Sequence, residues 1–205
     1  LGEPEDGFGY AVAATLSEDG TEKIVAVGAV KDAHGPDELD TGAVYIFTKP
    51  MAESNGGSWN LTQRIAPEDL RSGDYFGAAV SLHGDRLLVG AHRADGSGGG
   101  NSDSDANAET ASDAGRAFVY ERRKGPDAKG RGGGFMLAQE LVRAVESPSA
   151  QYDYFGMALS LDSDVAVVGA HNVDLPPAAK AGRDAGLEEE EEADEDGRGG
   201  WAGAA

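Results

Sequence analysis

A phrase of four residues occurs three times in this chain: Asp6-Gly7-Phe8-Gly9, Asp74-Tyr75-Phe76-Gly77 and Asp153-Tyr154-Phe155-Gly156. Each copy precedes an apolar run that closes on Val-Gly-Ala, at Val27-Gly28-Ala29, Val89-Gly90-Ala91 and Val168-Gly169-Ala170. A repeat of this length constrains the architecture before any single residue does. One unit cannot bury its own apolar face and must stack it on the next. The second interval is longer than the first, and the extra residues fall in polar stretches, where surface connections tolerate insertion.

The units align well past their openings. A polar loop closes on Asp-x-Gly, at Asp40-Thr41-Gly42 and Asp113-Ala114-Gly115, and each is followed by a β-type run, Ala43–Phe47 and Ala117–Tyr120. After a Gly-rich turn come Trp59-Asn60-Leu61-Thr62-Gln63-Arg64-Ile65 and Phe135-Met136-Leu137-Ala138-Gln139-Glu140-Leu141. Both read aromatic-x-Leu-x-Gln-x-aliphatic, and that period of two marks half-buried strands. Four such strands per unit, joined by short turns, describe one propeller blade. The chain therefore reads as all-β, a partial β-propeller of four-stranded antiparallel blades. Blade 1 covers about 6–66 and blade 2 about 74–142, while half blade 3, about 153–174, stops after its second strand; together they make about two and a half blades within 1–174. Phe8, Phe76 and Phe155 read as wedges between blades, core residues before anything else. Gly9, Gly77 and Gly156 read as positions of positive φ or close backbone approach. Gly28, Gly90 and Gly169 each interrupt an apolar strand, which marks a bulge or tight packing against a neighbour.

From Leu175 onward the apolar periodicity ends, and residues 175–205 read as a disordered acidic low-complexity tail, either a solvated linker or an interaction segment. The net charge is −20, from 17 basic and 37 acidic residues, and eight of the acids lie between Glu188 and Asp196. The remainder stays acidic, which argues against a nucleic-acid partner and suits cations or basic surfaces better. There is no cysteine, so neither a disulfide framework nor a thiolate metal site is available. No apolar run is long enough to span a membrane. The chain opens at Leu1 with no visible signal peptide, and reads as a fragment or processed product.

Phe-Gly, then Val-Gly-Ala, then Gly42-Ala43-Val44-Tyr45-Ile46-Phe47 resembles the FG-GAP repeat of integrin α-subunit propellers and of extracellular microbial and algal proteins. The resemblance covers roughly residues 6–174. Turns such as His83-Gly84-Asp85 and Asp162-Ser163-Asp164 place it closest to the short-hairpin microbial and algal type. It implies ligand contacts from the loops on one face, which here are 30–42, 66–75, 92–114 and 142–154. It also implies, in integrin-type repeats, a calcium loop Asp-x-Asp-x-Asp-Gly between the first two strands, from which this sequence departs. Unit one keeps only Asp19-Gly20, and the other two turns are too short to encircle a cation.

Other candidate sites are few. Asp95, Asn101, Asp103, Asp105, Asn107, Glu109 and Asp113 space oxygen donors so that Asp95, Asp103, Asp105, Asn107 and Asp113 could take calcium, the one cofactor in question. The central Gly of an EF-type turn is missing, and a solvated insertion is the competing reading. His92 and His171 both follow Gly-Ala in successive units, but unit one has Val30 there and no third ligand is fixed. Asn60-Leu61-Thr62 is a glycosylation acceptor, the one feature that would make this a glycoprotein. No Gly-x-Ser-x-Gly elbow and no phosphate-binding loop occurs, so no enzyme is expected.

Two function classes stay open. One is a non-enzymatic recognition or adhesion module, extracellular or at the cell surface, binding a protein or glycan ligand. The other is a structural propeller fragment of a larger enzyme or lectin whose chemistry lies outside this chain; a mispredicted fragment is a third reading. Two and a half blades cannot close a ring, so the remaining blades come from flanking sequence or self-association.

Overall fold

The structure is a computed structural model, and it describes residues 6–32, 40–51, 57–94, 113–123, 125, 133–142 and 152–173. All of these fall in one compact unit, Leu1–Asp174. Residues 175–205, and with them the acidic tail, lie outside the described residues.

Blade 1 is a four-stranded antiparallel sheet of β1 (Phe8–Leu16), β2 (Glu22–Ala29), β3 (Ala43–Pro50) and β4 (Asn60–Ile65), in sequence order. Blade 2 repeats it with β5 (Ala79–His83), β6 (Arg86–Ala91), β7 (Arg116–Arg122) and β8 (Phe135–Val142). The third unit contributes β9 (Ala158–Asp162) and β10 (Val165–Gly169), paired only with each other. The protein is thus a partial β-propeller, and adjacent strands meander because each hairpin connection is local.

The two complete blades share a register shift between their third and fourth strands, at Ile46/Phe47 in one and Val119/Tyr120 in the other. Bulges of this kind increase local twist, which blades arranged around an axis require.

One core lies between the two blades. Ile24, Ala26, Val44, Ile46 and Ile65 from blade 1 close on Phe76, Leu87, Val89, Phe118, Tyr120 and Phe135 from the second unit. Phe76 is fully buried, its ring edge-on to Phe118 at 5.4 Å and to Tyr120 at 6.3 Å. The other two repeat phenylalanines differ from the expectation of core wedges. Phe8 is 49% exposed, lying edge-on to Tyr45 and Phe47 of its own blade. Phe155 is half-buried. The reason is shared: Phe76 is enclosed by a complete sheet on either side, whereas among the described residues no sheet covers the outer side of Phe8, and the sheet behind Phe155 has two strands.

The glycines of the repeat join consecutive units. Gly28 and Gly90 pair in register with their third strands, opposite Val44 and Ala117; on its other side Gly28 faces the register shift between Phe8 and Val12 of β1, whereas Gly90 pairs regularly with Ala79. A β-carbon on Gly28 would overlap the carbonyl oxygen of Gly77, and one on Gly90 would overlap that of Gly156. Gly77 and Gly156 hold φ of 86° and 91°, and their N–H groups donate to the carbonyls of Gly90 at 2.9 Å and Gly169 at 3.0 Å. The second and third Phe-Gly peptides are therefore each bonded to their own unit and seated on the glycine of the preceding one, whereas a β-carbon on Gly9 would meet nothing within 4 Å. Gly169 departs from this pattern, since its nearest neighbour is the Ala158 side chain at 3.3 Å.

Candidate functional site

At the end of each unit's second strand, the chain enters the second-to-third-strand loop beside the link that opens the next unit. Side chains from the two connections alternate there. His92 follows β6, His171 follows β10, and Tyr75 and Tyr154 immediately precede Phe76 and Phe155. Both tyrosines adopt left-handed backbone, φ 55° and 53°, which turns them toward the loop ends. The links are held from below: the Asp74 carboxylate accepts the Arg71 N–H at 2.8 Å, and the Tyr154 N–H donates to the Asp113 carbonyl at 3.2 Å.

The result is a continuous row of rings. Tyr75 stacks on His92 at 6.0 Å, His92 lies 6.0 Å from Tyr154 at a tilt of 51°, and Tyr154 stacks on His171 at 5.1 Å. Arg93 sits over the Tyr75 ring at 5.3 Å, a cation–π contact at one end, and Tyr152 flanks Tyr154 at 6.4 Å. Tyr75, His92 and Tyr154 are half-buried, whereas Arg93, Tyr152 and His171 are exposed. The Nδ1 of His92 is buried and has no hydrogen-bond partner among the described residues. Burial lowers its pKa below the ordinary 6.5, and the nearby charges of Arg93 and His171 lower it further, so the ring stays neutral near pH 7. Phenol and imidazole edges beside apolar ring faces can hydrogen-bond and stack at once.

The opposite strand ends enclose a polar cavity of about 740 Å³ between the hairpin turns, lined by Ser17, Glu18, His83, Arg86, Arg122 and Asp164 among others. Its charges bridge units. Arg122 pairs with Glu22 of blade 1 and, at 3.7 Å, with Asp85 in the β5–β6 turn of its own blade. Arg86 pairs with Asp164 and donates to the Ser163 carbonyl at 2.9 Å, which holds the Asp164 carboxyl below its usual range. These carboxylates are matched to arginines, so the cavity reads as a joint between blades.

A third polar cluster occupies blade 1. Tyr45 Oη donates to the buried Asp32 carboxylate, and Arg64 donates to the same group. Burial and then the Asp32 hydrogen bond raise the Tyr45 pKa. Blade 2 rebuilds the place with different residues: Arg116 stands where blade 1 has Ala43, pairs with Glu140 and Asp69 at 2.6 Å each, and lies over Phe118 at 5.0 Å. Burial alone would depress Arg116, but those two hydrogen bonds outweigh it.

Of the residues singled out by sequence, Asp95, Asp103, Asp105 and Asn107 lie outside the described residues, as do most of loops 30–42, 92–114 and 142–154. Asp113 is described, with φ 53° and its carbonyl on Tyr154. Among the described residues no group of three potential ligands is positioned to hold a metal. Asp19 closes its own hairpin, its Oδ1 accepting from Ser17 Oγ at 2.8 Å, Thr21 N at 3.0 Å and Thr21 Oγ1 at 2.7 Å. Asn60 is exposed on β4, while Thr62 Oγ1 donates to the Ile46 carbonyl at 3.1 Å. His92 and His171 do converge on one face, through Tyr154. Sequence reasoning missed the tyrosines, although a signal existed: both stand before the repeat Phe, where unit one has Gly7. No described helix is long and apolar enough to cross a membrane.

The sequence model of the FG-GAP repeat matches residues 59–120 and 140–186. Each match opens on or near the fourth strand of one blade and includes the Phe-Gly pair of the next, so it spans a blade boundary. No curated protein matches the chain.

Proposed function

Because the chain belongs to the FG-GAP repeat family, we propose that it is a non-enzymatic recognition or adhesion module acting outside the cell or at its surface. The observation that carries this reading is the row Tyr75–His92–Tyr154–His171 on the loop face. Half-exposed rings with polar edges and one guanidinium suit a protein or glycan ligand. The strongly negative charge disfavours nucleic acid. An N-glycan on the exposed Asn60 is consistent with export.

The test is a binding screen of the full chain against immobilised glycans and extracellular proteins, repeated with Tyr154→Ala and His171→Ala. Truncating a central aromatic anchor should weaken a true ligand about tenfold or more. Binding that ignores both substitutions would move the ligand off this face. A specific turnover that survives purification and vanishes with one polar substitution would overturn the non-enzymatic reading.

A further inference from the structure

His92 immediately follows β6 and joins two tyrosines that belong to different links. Tyr75, from the link into blade 2, and Tyr154, from the link into the third unit, each lie 6.0 Å from its ring. Without it the row is two separate pieces, with Arg93 over Tyr75 on one side and Tyr154 on His171 on the other.

The place that His92 occupies suits only the neutral ring. A neutral imidazole carries hydrogen on one nitrogen, so Nδ1 can remain a bare acceptor, whereas an imidazolium donates from both nitrogens. Nδ1 is buried with no hydrogen-bond partner among the described residues, so a proton placed there would have no acceptor. The charge is no better accommodated. Burial opposes it first, and Arg93 beside the ring and His171 beyond Tyr154 oppose it further. The carboxylates next to the two tyrosines, Asp74 and Asp153, are buried in their own links, the first accepting the Arg71 N–H at 2.8 Å. Asp113 meets Tyr154 through its backbone carbonyl. Attraction of an imidazolium to the Tyr75 face is contested, because the Arg93 guanidinium already lies over that ring at 5.3 Å.

We propose that His92 is an acid-operated latch of this face. On taking up a proton its ring leaves the gap between Tyr75 and Tyr154 for water, and the row parts into two halves that no longer hold a single ligand. The latch is closed above pH 6.5 and opens as the pH falls below that value through the lower one the folded chain imposes. His171 shares the row but lies exposed on the outer side of Tyr154, where water solvates a charge, so it does not carry the switch. Release of a ligand rests on the row being the recognition face proposed above; the opening itself does not.

The full chain is titrated from pH 7.5 to pH 5 by NMR, following the His92 imidazole and the ring protons of Tyr75 and Tyr154, with the strand amides as a check on the fold. The expected result is that both tyrosine signals shift together with His92, at one midpoint below 6.5, while the strand amides stay in place. The shift should be lost in His92→Phe and in His92→Gln, and kept in His171→Phe. In parallel, the panel of immobilised glycans and extracellular proteins is washed at both pH values. A ligand that retains the native chain at pH 7.5 should hold it about tenfold more weakly at pH 5 and should hold His92→Phe equally at both. Tyrosine signals that stay fixed down to pH 5 overturn the proposal, whether or not His92 titrates. A shift that survives in His92→Phe, or one that disappears in His171→Phe, overturns it as well. A panel that retains nothing at either pH sinks the recognition reading alone, and the tyrosine signals still decide the latch.

Discussion

The carbonyl oxygen of Gly77 rests on the α-carbon of Gly28, in the space a β-carbon would fill. One unit further on, the Gly156 carbonyl rests on Gly90 in the same way. What looks in sequence like two separate signatures, Phe-Gly and Val-Gly-Ala, is in space one joint between neighbours. That explains why the two recur together, and why the joint needs glycine on both sides: one for left-handed backbone, the other for absence of a side chain.

Gly28→Ala and Gly90→Ala should therefore each destabilise the protein by about 3 kcal/mol or more, since the obstruction is backbone and cannot swing aside. Gly169→Ala tests the explanation from within the same motif. Its nearest neighbour is a side chain at 3.3 Å, so the change should cost less than about 1 kcal/mol. Urea denaturation of the three variants separates the cases. Equal losses at all three positions would mean that the glycines serve the strand and not the joint.

The strand pattern was legible because it repeats, and a repeat turns one weak signal into several aligned ones. Partner-dependent features were not. Phe8, Phe76 and Phe155 all stand in an Asp-x-Phe-Gly phrase, yet only Phe76 is enclosed on both sides. The role of Gln63 was equally hidden, since aromatic-x-Leu-x-Gln-x-aliphatic says only that a strand is present. Its bond to Phe135 crosses to another blade. The aromatic row was half legible: the histidines stood out as a repeated oddity, but the tyrosine between them belongs to a different connection.

Gln63→Ala removes the amide's bonds to both the Phe135 N–H and carbonyl and leaves two buried backbone groups to be satisfied, which should cost about 1–3 kcal/mol. Gln139→Ala, in an exposed position, should change the stability of the chain alone by no more than about 0.5 kcal/mol. Thermal denaturation of both variants checks the contrast. Parity between them would mean that the amide contributes nothing to blade docking.

Asp32 accepts from both Tyr45 and Arg64 in an almost fully buried position. Asp32→Ala should cost about 2–4 kcal/mol, because it strands a phenol and a partly buried guanidinium together. Tyr45→Phe removes only one of the bonds and should cost about 1 kcal/mol. Chemical denaturation of the pair gives the comparison, and a larger loss in Tyr45→Phe would reverse the assigned order of importance.

His92 carries the pH dependence. Burial, then Arg93 and His171, lower its folded-state pKa below the 6.5 it has when exposed. The unfolded chain consequently takes up this proton at a higher pH than the folded one. Stability present above pH 6.5 is lost as the pH falls through 6.5 toward the folded value. His92→Phe keeps a ring between Tyr75 and Tyr154, removes the titration, and leaves no nitrogen buried without a partner. Between pH 7.5 and 5.5 the melting temperature of the native sequence should fall more than that of His92→Phe. The gap should widen as the pH falls toward 5.5. Parallel melting curves across that interval would mean that His92 titrates as it does in water. His171 sits exposed at the other side of Tyr154, so His171→Phe should leave most of the slope in place and so assign it to the buried ring.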